Sequence, residues 1–287
     1  MATAPLIAHL AHPDGDPEGV AALQAAFRGI NPGYDVVSHR ACRALAATQA
    51  SRVVFVVTGG AVVDVGAGSS PVEVGDVILM RAGERWQADA DVNLVAFTVP
   101  EPLPDELPTF LRPDHDPLLT DTPGGCADEA DAYRRIVLTW LRDVGPYTFR
   151  ALNAHRVRMW DSFSHYHPPE GGFDELYLVQ EIRPGAHVIV STRREEIERP
   201  ESVTAESVNG LLQRLEPEPG DLVMIPRGVI HRGVGGVLAH VITVPGFKPG
   251  FEIGVDHHLR SINERLGLPA DERLPFQQTA SDAPLVK

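Results

Sequence analysis

Short apolar runs separated by turn residues fill two regions of the chain. In the first region, from residue 52 to residue 100, the runs are Val53–Val57, Ala61–Val65, Val77–Met80 and Leu94–Val99. Glycine pairs, a glycine- and serine-rich stretch and charged turns separate these runs. A second region of the same kind extends from about residue 147 to residue 244. Closely spaced β-rich runs with such turns are typical of antiparallel strands in a sandwich or a barrel.

Three segments have helical spacing instead. The first extends from Pro17 to Ile30, and Asp16 can cap it because it stands directly before a proline at the first helical position. The other two are residues 127–144, with a stripe at Tyr133, Ile136, Val137, Trp140 and Leu141, and residues 256–266, with Leu259, Ile262 and Leu266. We predict a helix in each segment, with the second packed between domains.

The two β-rich regions share a sequence motif. The second contains GDLVMIPRGVIH from Gly220 to His231, and the first contains GDVILMRAGERW from Gly75 to Trp86. The shared glycines and aspartates are offset by the same number of residues, so the chain carries an internal duplication. A tryptophan stands in the first copy where the second has a histidine.

Histidine and carboxylate residues in the second region have the spacing of metal ligands. His165 and His167 are two residues apart, and alternate side chains of a strand share a face. Glu175 opens the apolar run ELYLV after a turn, so it can return on an adjacent strand; Glu170, Asp174 and Glu181 are nearby alternatives. His231 follows a strand and a Pro-Arg-Gly turn. Imidazole and carboxylate ligands suit divalent transition metals, so these residues predict a metal site.

On these residues the second region resembles the cupin family. Gly220 to His231 follows the family's G-x5-P-x-G-x2-H spacing, whereas the first motif departs from it, with Met159 in place of a glycine and a late closing glycine at Gly185. The resemblance implies an all-β fold of two tandem double-stranded β-helix (cupin or jelly-roll) barrels with a few flanking helices. It implies His165, His167, Glu175 and His231 as ligands of one metal, and a metal-free first barrel, since Trp86 replaces a ligand there.

At 287 residues the chain is long enough for two ordinary domains. We assign residues 1–100 to a degenerate N-terminal cupin with a helical lead-in and residues 101–146 to a proline-rich connector with a helix. Residues 147–250 form the metal-binding cupin, and residues 251–287 form a C-terminal helix and a tail.

Further residues are predicted to act beside the metal. If Glu175 points into the barrel, Tyr177 does too, which makes it a candidate catalytic acid or hydrogen-bond donor. His187 is a candidate proton shuttle. Arg227, Arg158 and Arg183 are candidates for binding a substrate carboxylate, because arginine pairs with carboxylates in a bidentate manner.

Charge and hydropathy narrow the class of partner. The net charge of −14 argues against nucleic acid, whose binding depends on lysine and arginine. No apolar run approaches the ~18 residues of a membrane helix, and the N-terminal segment lacks the basic start of a signal peptide, so we expect a cytoplasmic protein that binds no membrane. The family resemblance also implies a homodimer.

Three functions remain open. The first, narrowly favoured, is a non-haem iron dioxygenase of a small anionic substrate, for which Fe(II) is the expected metal. The second is a metal-dependent isomerase of a keto-sugar or uronate, because HYHPPEGGFDELYLV and a silent first barrel resemble the layout of deoxyglucuronate and ketouronate isomerases. The third is a cupin that binds a small ligand without catalysis. Manganese, zinc and nickel remain alternatives, since histidine suits them all.

Overall fold

The computed structural model describes residues 4–66, 68–122 and 133–287, and in these residues β-strands dominate. One sheet is built from β2 (Asp35–Leu45), β3 (Ser51–Thr58), β4 (Ala61–Val65), β5 (Gly68–Val72), β6 (Val77–Met80), β7 (Trp86–Val99) and β8 (Phe110–Leu111). Its strand order is β5-β4-β7-β3-β6-β8, with β2 paired to β7. We call it the first sheet; its strand pairs are antiparallel.

The second sheet is formed by β1 (Leu6–His9), β9 (Arg134–Leu138), β10 (Asn153–Asp161), β11 (His165–Tyr166), β12 (Asp174–Ile182), β13 (His187–Ser191), β14 (Gln213–Leu215), β15 (Asp221–Ile225), β16 (Ile230–Val244) and β17 (Ile253–Gly254). Its main order is β1-β15-β12-β16-β10-β9, and β11, β13, β14 and β17 pair around the end of β16. The long strand β16 therefore connects most of this sheet.

The two sheets pack face to face and each has a second apolar face. Alternation along β3 shows this: Val53 and Phe55 join the cluster between the sheets, and Val54 joins the interior of the first sheet. Likewise Leu176 faces the first sheet, whereas Tyr177 faces the interior of the second. Strands buried on both faces read as continuous apolar runs, as β3 does. The mostly β architecture is confirmed; its division into two tandem barrels stays a prediction.

Three helices flank the sheets in the described residues: α1 (Pro17–Ile30), α2 (Arg194–Ile197) and α3 (Asp256–Leu266). The Asp16 carboxylate accepts a hydrogen bond of 2.9 Å from the Gly19 N–H and so caps α1, as its sequence predicts. Leu23 and Phe27 of α1 are buried in the cluster between the sheets. The helix predicted over residues 256–266 is also present. No helix in the described ranges has both the length and the apolarity needed to span a bilayer.

The helix predicted over residues 127–144 is wrong where the structure describes it. Residues 127–132 lie outside the described residues, and Arg134–Leu138 form strand β9. The β-branched residues Ile136 and Val137 favour a strand, and pairing with β10 satisfies the backbone. Tertiary pairing thus overrides a helix-like spacing of five residues.

The first strand belongs to the second sheet. β1 pairs with β15, Leu6 opposite Met224 and His9 opposite Asp221, and the domain boundaries stay a prediction. The Ala8 side chain of β1 is buried between the sheets. The predicted connector likewise contributes to both sheets, through β8 and β9.

Candidate metal centre

Three histidines and one glutamate converge inside the second sheet. His165 lies on β11, His167 follows that strand, Glu175 lies on β12 and His231 on β16. One donor atom from each of these buried residues lies within 4.8 Å of every other. The structure therefore brings together the four residues predicted as ligands, and in the described residues they are the one group of this kind.

Short strand β11 owes its position to α3 and β17. The Ser164 N–H donates a hydrogen bond of 2.7 Å to the buried Asp256 carboxylate, which also accepts 2.9 Å from the Gln277 N–H. His165 pairs with Gly254 on one side and with His231 on the other. A strand of only two residues would be weakly held by itself. The C-terminal segment therefore fixes His165 on β11 and His167 directly after it.

Backbone contacts orient two of the imidazole rings. His165 Nδ1 lies 3.0 Å from the Phe163 carbonyl and His231 Nδ1 lies 3.1 Å from the Val229 carbonyl. A carbonyl only accepts, so Nδ1 carries the hydrogen and Nε2 keeps its lone pair. The Nε2 atoms of His165, His167 and His231 are buried without a hydrogen-bond partner. Buried polar atoms are rarely left so, and three converging lone pairs beside a carboxylate fit a metal cation.

The electrostatics of the cluster favour the neutral form of His165 and His167 and the ionised form of Glu175. Burial lowers the pKa of His165 to about 3 and that of His167 well below its ordinary value. Burial alone would raise the pKa of Glu175, but its electrostatic interaction with His231, and then with His167 and His165, lowers it below its ordinary range. Burial opposes protonation of His231, and Glu175 raises its pKa. Glu175 Oε2 lies 3.4 Å from His167 Nε2 and 3.6 Å from His231 Nε2, so this carboxylate stays ionised among the rings.

Tyr177 lies next to the cluster, in the interior of the second sheet. Its ring is edge-on to that of His231, with 6.3 Å between centroids, and it is almost wholly buried. The alternation predicted from Glu175 holds, since Tyr177 and Val179 face the interior while Leu176 and Leu178 face the other sheet. Its catalytic role stays a prediction.

Arg227 is close to the cluster in sequence but is engaged elsewhere. Its Nε and Nη2 donate hydrogen bonds of 2.9 and 3.0 Å to the fully buried Asp174 carboxylate, and its Nη2 donates one of 2.6 Å to Asn31 at the end of α1. Next to it, Gly228 has a φ of 87°, a left-handed conformation that favours glycine, and its N–H donates 2.7 Å to the His167 carbonyl. Arg227 thus holds the turn before His231 against α1, and its substrate-binding role stays a prediction.

The other predicted residues lie outside the cluster. Arg158 and Arg183 both pair with Glu181, at 2.7 and 3.1 Å. Glu181 is six residues beyond Glu175 on β12, about 20 Å at 3.3 Å per residue. His187 lies opposite Val234, and its Nδ1 bonds to the Gly185 carbonyl at 2.8 Å. The structure does not bring these three residues to the cluster. Strand length separates Arg158 and Arg183 from it, and His187 lies on the face of β13 opposite to Val188 and Val190, which face the interior.

A small cavity adjoins the cluster. Its volume is about 70 Å³ and its wall includes His165 and Glu175. The remaining wall is formed by Arg134, Ile136, Leu138, Trp140, Asn153, His155, Thr243, Phe247 and Glu252. Trp140 and Phe247 are in contact, with ring centroids 4.1 Å apart. Space next to the imidazoles is therefore enclosed by strand β9 and by the segment after β16.

Two charged residues of this cavity were missed in the sequence. Glu252 Oε1 lies 3.8 Å from His165 Nε2, and burial together with the Glu175 charge raises the pKa of Glu252 to about 7. Its backbone pairs with that of Lys287 in both directions, at 3.0 Å. Arg134 belongs to the segment predicted as a helix. The Ile136-Val137 pair could have indicated a strand there, whereas no local pattern marks Glu252.

In the first sheet, the position that corresponds to His231 of the second sheet lies in an apolar interior. Trp86 begins β7 as His231 lies at the start of β16, and it is fully buried. Around it pack Val65, Val63, Val56, Ile78 and Met80. Tryptophan fills the volume that the second sheet gives to its histidine cluster.

Comparison with known proteins shows the fold. No protein-family model and no curated protein matches the chain. Among solved structures, the oxalate decarboxylase of Lactobacillus farciminis in complex with formate is similar at a TM-score of 0.50 and 12% identity, over 87% of this chain and 89% of that one. A protein of unknown function of the DUF861 family from Pseudomonas syringae pv. tomato reaches 0.46 at 17% identity, over 84% and 100%. At such identity the first likeness shows the fold alone, and that fold is the predicted cupin fold.

Proposed function

We propose that the protein is a metal-dependent cupin enzyme that acts on a small anionic substrate. One divalent metal would be held by His165, His167, Glu175 and His231. The observation that carries this proposal is the convergence of three unpartnered, buried Nε2 atoms on one ionised carboxylate. In this proposal the first sheet is the degenerate barrel of a bicupin and the second is the metal-binding one.

The chain's own residues supply the surroundings of the reaction. When bound, the metal would act as a Lewis acid and, if it is iron, would also supply redox chemistry with oxygen. The Phe163 and Val229 carbonyls hold two imidazoles in the donor tautomer. Trp140 and Phe247 exclude bulk water from the cavity wall. Glu252 offers a carboxyl group to a substrate in this cavity.

Cavity size supports a small substrate. A volume of about 70 Å³ is well below the ~300–1,000 Å³ of typical sites for larger ligands. A keto-sugar or uronate fits such a space less well than a short acid does. We therefore favour the Fe(II) dioxygenase over the isomerase. Manganese, zinc and nickel are the alternative metals.

Metal analysis joined to oxygen uptake tests the proposal. The protein is purified without chelator, its metal per chain is measured by mass spectrometry, and the apoprotein is reloaded anaerobically with Fe(II). Oxygen consumption is then followed with small carboxylic and thiol acids, with the His165→Ala, His167→Ala double variant as control. Consumption by the wild type alone supports a dioxygenase. Turnover that is indifferent to oxygen indicates an isomerase or another Lewis-acid reaction. A protein that binds no metal contradicts the proposal and leaves a ligand-binding cupin.

A further inference from the structure

One arginine of strand β9 faces the enclosed cavity beside the histidine cluster. Arg134, Ile136 and Leu138 alternate along the strand and all three line this cavity. Arg135 between them points the other way and pairs with Asp114 and Asp121 at 2.9 and 3.2 Å. The alternation thus separates two adjacent arginines into one that faces the cavity and one that faces the connector.

Among the residues that the structure describes, Arg134 has no acidic partner, unlike the neighbouring arginines. Within the described ranges no carboxylate oxygen lies within 4.0 Å of its guanidinium, and its hydrogen bond is a 3.5 Å contact from Nη1 to the Thr122 carbonyl. By contrast, Arg156 pairs with Asp114 and Arg158 with Glu181. Arginine has five donors in a planar fork that matches a carboxylate, and here most of them are unused.

The charge of Arg134 acts across the cavity. Burial lowers the pKa of His155 to about 3, and the Arg134 charge acts in the same direction. The cavity wall also includes Glu252. Both residues share the cavity wall with Arg134. Arg134 therefore supplies the cationic side chain of this cavity, whose wall also includes the carboxyl groups of Glu175 and Glu252.

Different parts of the cavity wall offer different chemical groups. His165 and Glu175 belong both to the cluster and to the cavity wall, Arg134 supplies a cation, and Ile136 and Leu138 supply apolar surface. A molecule that fits needs an anionic group for the arginine and an oxygen donor for the metal, with few carbon atoms between them.

We propose that Arg134 is the residue that binds the carboxylate of the substrate, and that the substrate is a short-chain acid with a second oxygen function directed at the histidine cluster. This inference rests on the proposed function, since the cluster must hold a metal for the second contact. It replaces Arg227, Arg158 and Arg183, whose guanidinium groups are paired with acids of the protein.

Binding to a redox-inert form of the protein tests this role without turnover. Zn(II)-loaded wild type is titrated with acetate, glycolate, lactate, oxalate and succinate by calorimetry, with propanol as an uncharged probe. The variants are Arg134→Gln and Arg134→Lys, and Arg142→Gln is the matched control, since it removes an exposed arginine of the same segment. Zinc per chain and circular dichroism show whether each variant remains loaded and folded.

We expect at least one of the acids to bind the wild type and propanol not to bind. In Arg134→Gln the dissociation constant rises about 10- to 100-fold, the usual loss for a hydrogen-bonded charge, while zinc stays near one per chain. Arg134→Lys retains part of the affinity, and Arg142→Gln retains all of it.

Equal affinity in Arg134→Gln and wild type overturns the inference and leaves the proposed function intact. The same holds if zinc binds but none of the acids does. If the wild type binds no zinc, the proposed function itself fails, and the substrate role of Arg134 fails with it.

Discussion

His165 and His231 lie directly opposite each other in the register of β11 and β16. Opposed residues of antiparallel strands have Cβ atoms about 4.5–5.5 Å apart and share one face of the sheet. The two rings are accordingly 4.3 Å apart between centroids. Residues 66 positions apart in the chain thus become neighbours through strand pairing, and a shift of one residue would turn one of the rings to the other face.

Replacing His231 should remove the metal. We expect His231→Gln to hold far less metal than the roughly one ion per chain of wild type, because the ring it removes donates one of the three Nε2 atoms. Metal per chain after dialysis against a weak chelator measures this. The matched control is His187→Gln, a histidine of β13 outside the cluster, which should keep wild-type content. Equal metal content in the two variants would contradict the assignment.

Chelation should lower the thermal stability of the wild type. A metal present at 100 times its dissociation constant stabilises the folded state by about 2.7 kcal/mol, and each kcal/mol corresponds to roughly 2–4 °C in a domain of 150–250 residues. We therefore expect the Tm to fall by about 5–10 °C with excess chelator. Scanning calorimetry or fluorescence measures it. The His165→Ala, His167→Ala double variant should show no such shift; an equal shift there would place the bound metal elsewhere.

Arg227 should matter for folding and not for metal binding. Asp174 is fully buried, and its ion pair with Arg227 lies between the turn before His231 and the end of α1. Removing one partner of a buried pair costs about 3–5 kcal/mol, so Arg227→Ala should lower the free energy of unfolding by that amount. Urea denaturation measures this, and metal per chain should remain near one. Arg183→Ala, at an exposed pair, should change stability by under ~0.5 kcal/mol. Unchanged stability in Arg227→Ala would argue against the structural role.

Local signals explain what the sequence could predict. Asp16 and Pro17 mark the start of α1 because a cap is a contact within a few residues. The two histidines around Tyr166 and the turn before His231 belong to short motifs with fixed spacing. These motifs contain the residues of the cluster, so the sequence alone predicts its four members.

Long-range pairing explains what it could not predict. Arg134 reaches the cavity because β9 pairs with β10, and Glu252 reaches it because the segment after β16 returns beside β11. In the sequence, Arg158 and Arg183 are equally suitable, since nothing in their own neighbourhood shows that Glu181 pairs with both. Which arginines pair with acids of the protein is a property of the assembled sheet.

The pairing of β1 with the second sheet should depend on pH. His9 Nδ1 lies 2.8 Å from Asp221 Oδ1, and this hydrogen bond raises the pKa of His9 above its ordinary value of 6.5. Burial opposes the shift, while the charges of Asp221, Asp16 and Glu218 add to it. A raised pKa means that the folded state binds the proton more tightly than the unfolded state does. The contribution to stability is therefore fully present below about pH 6.5 and is lost as pH rises through the folded-state pKa.

We expect wild type to exceed His9→Gln in free energy of unfolding at pH 6 and to lose that advantage by pH 9. The His9 side chain is about half exposed, so the difference should be under ~1 kcal/mol. Urea denaturation at both pH values measures it, and His12→Gln, an exposed histidine of the same segment, is the control. An advantage that is the same at both pH values would mean that His9 stabilises β1 through packing alone. An advantage that grows with pH would contradict the charged pair.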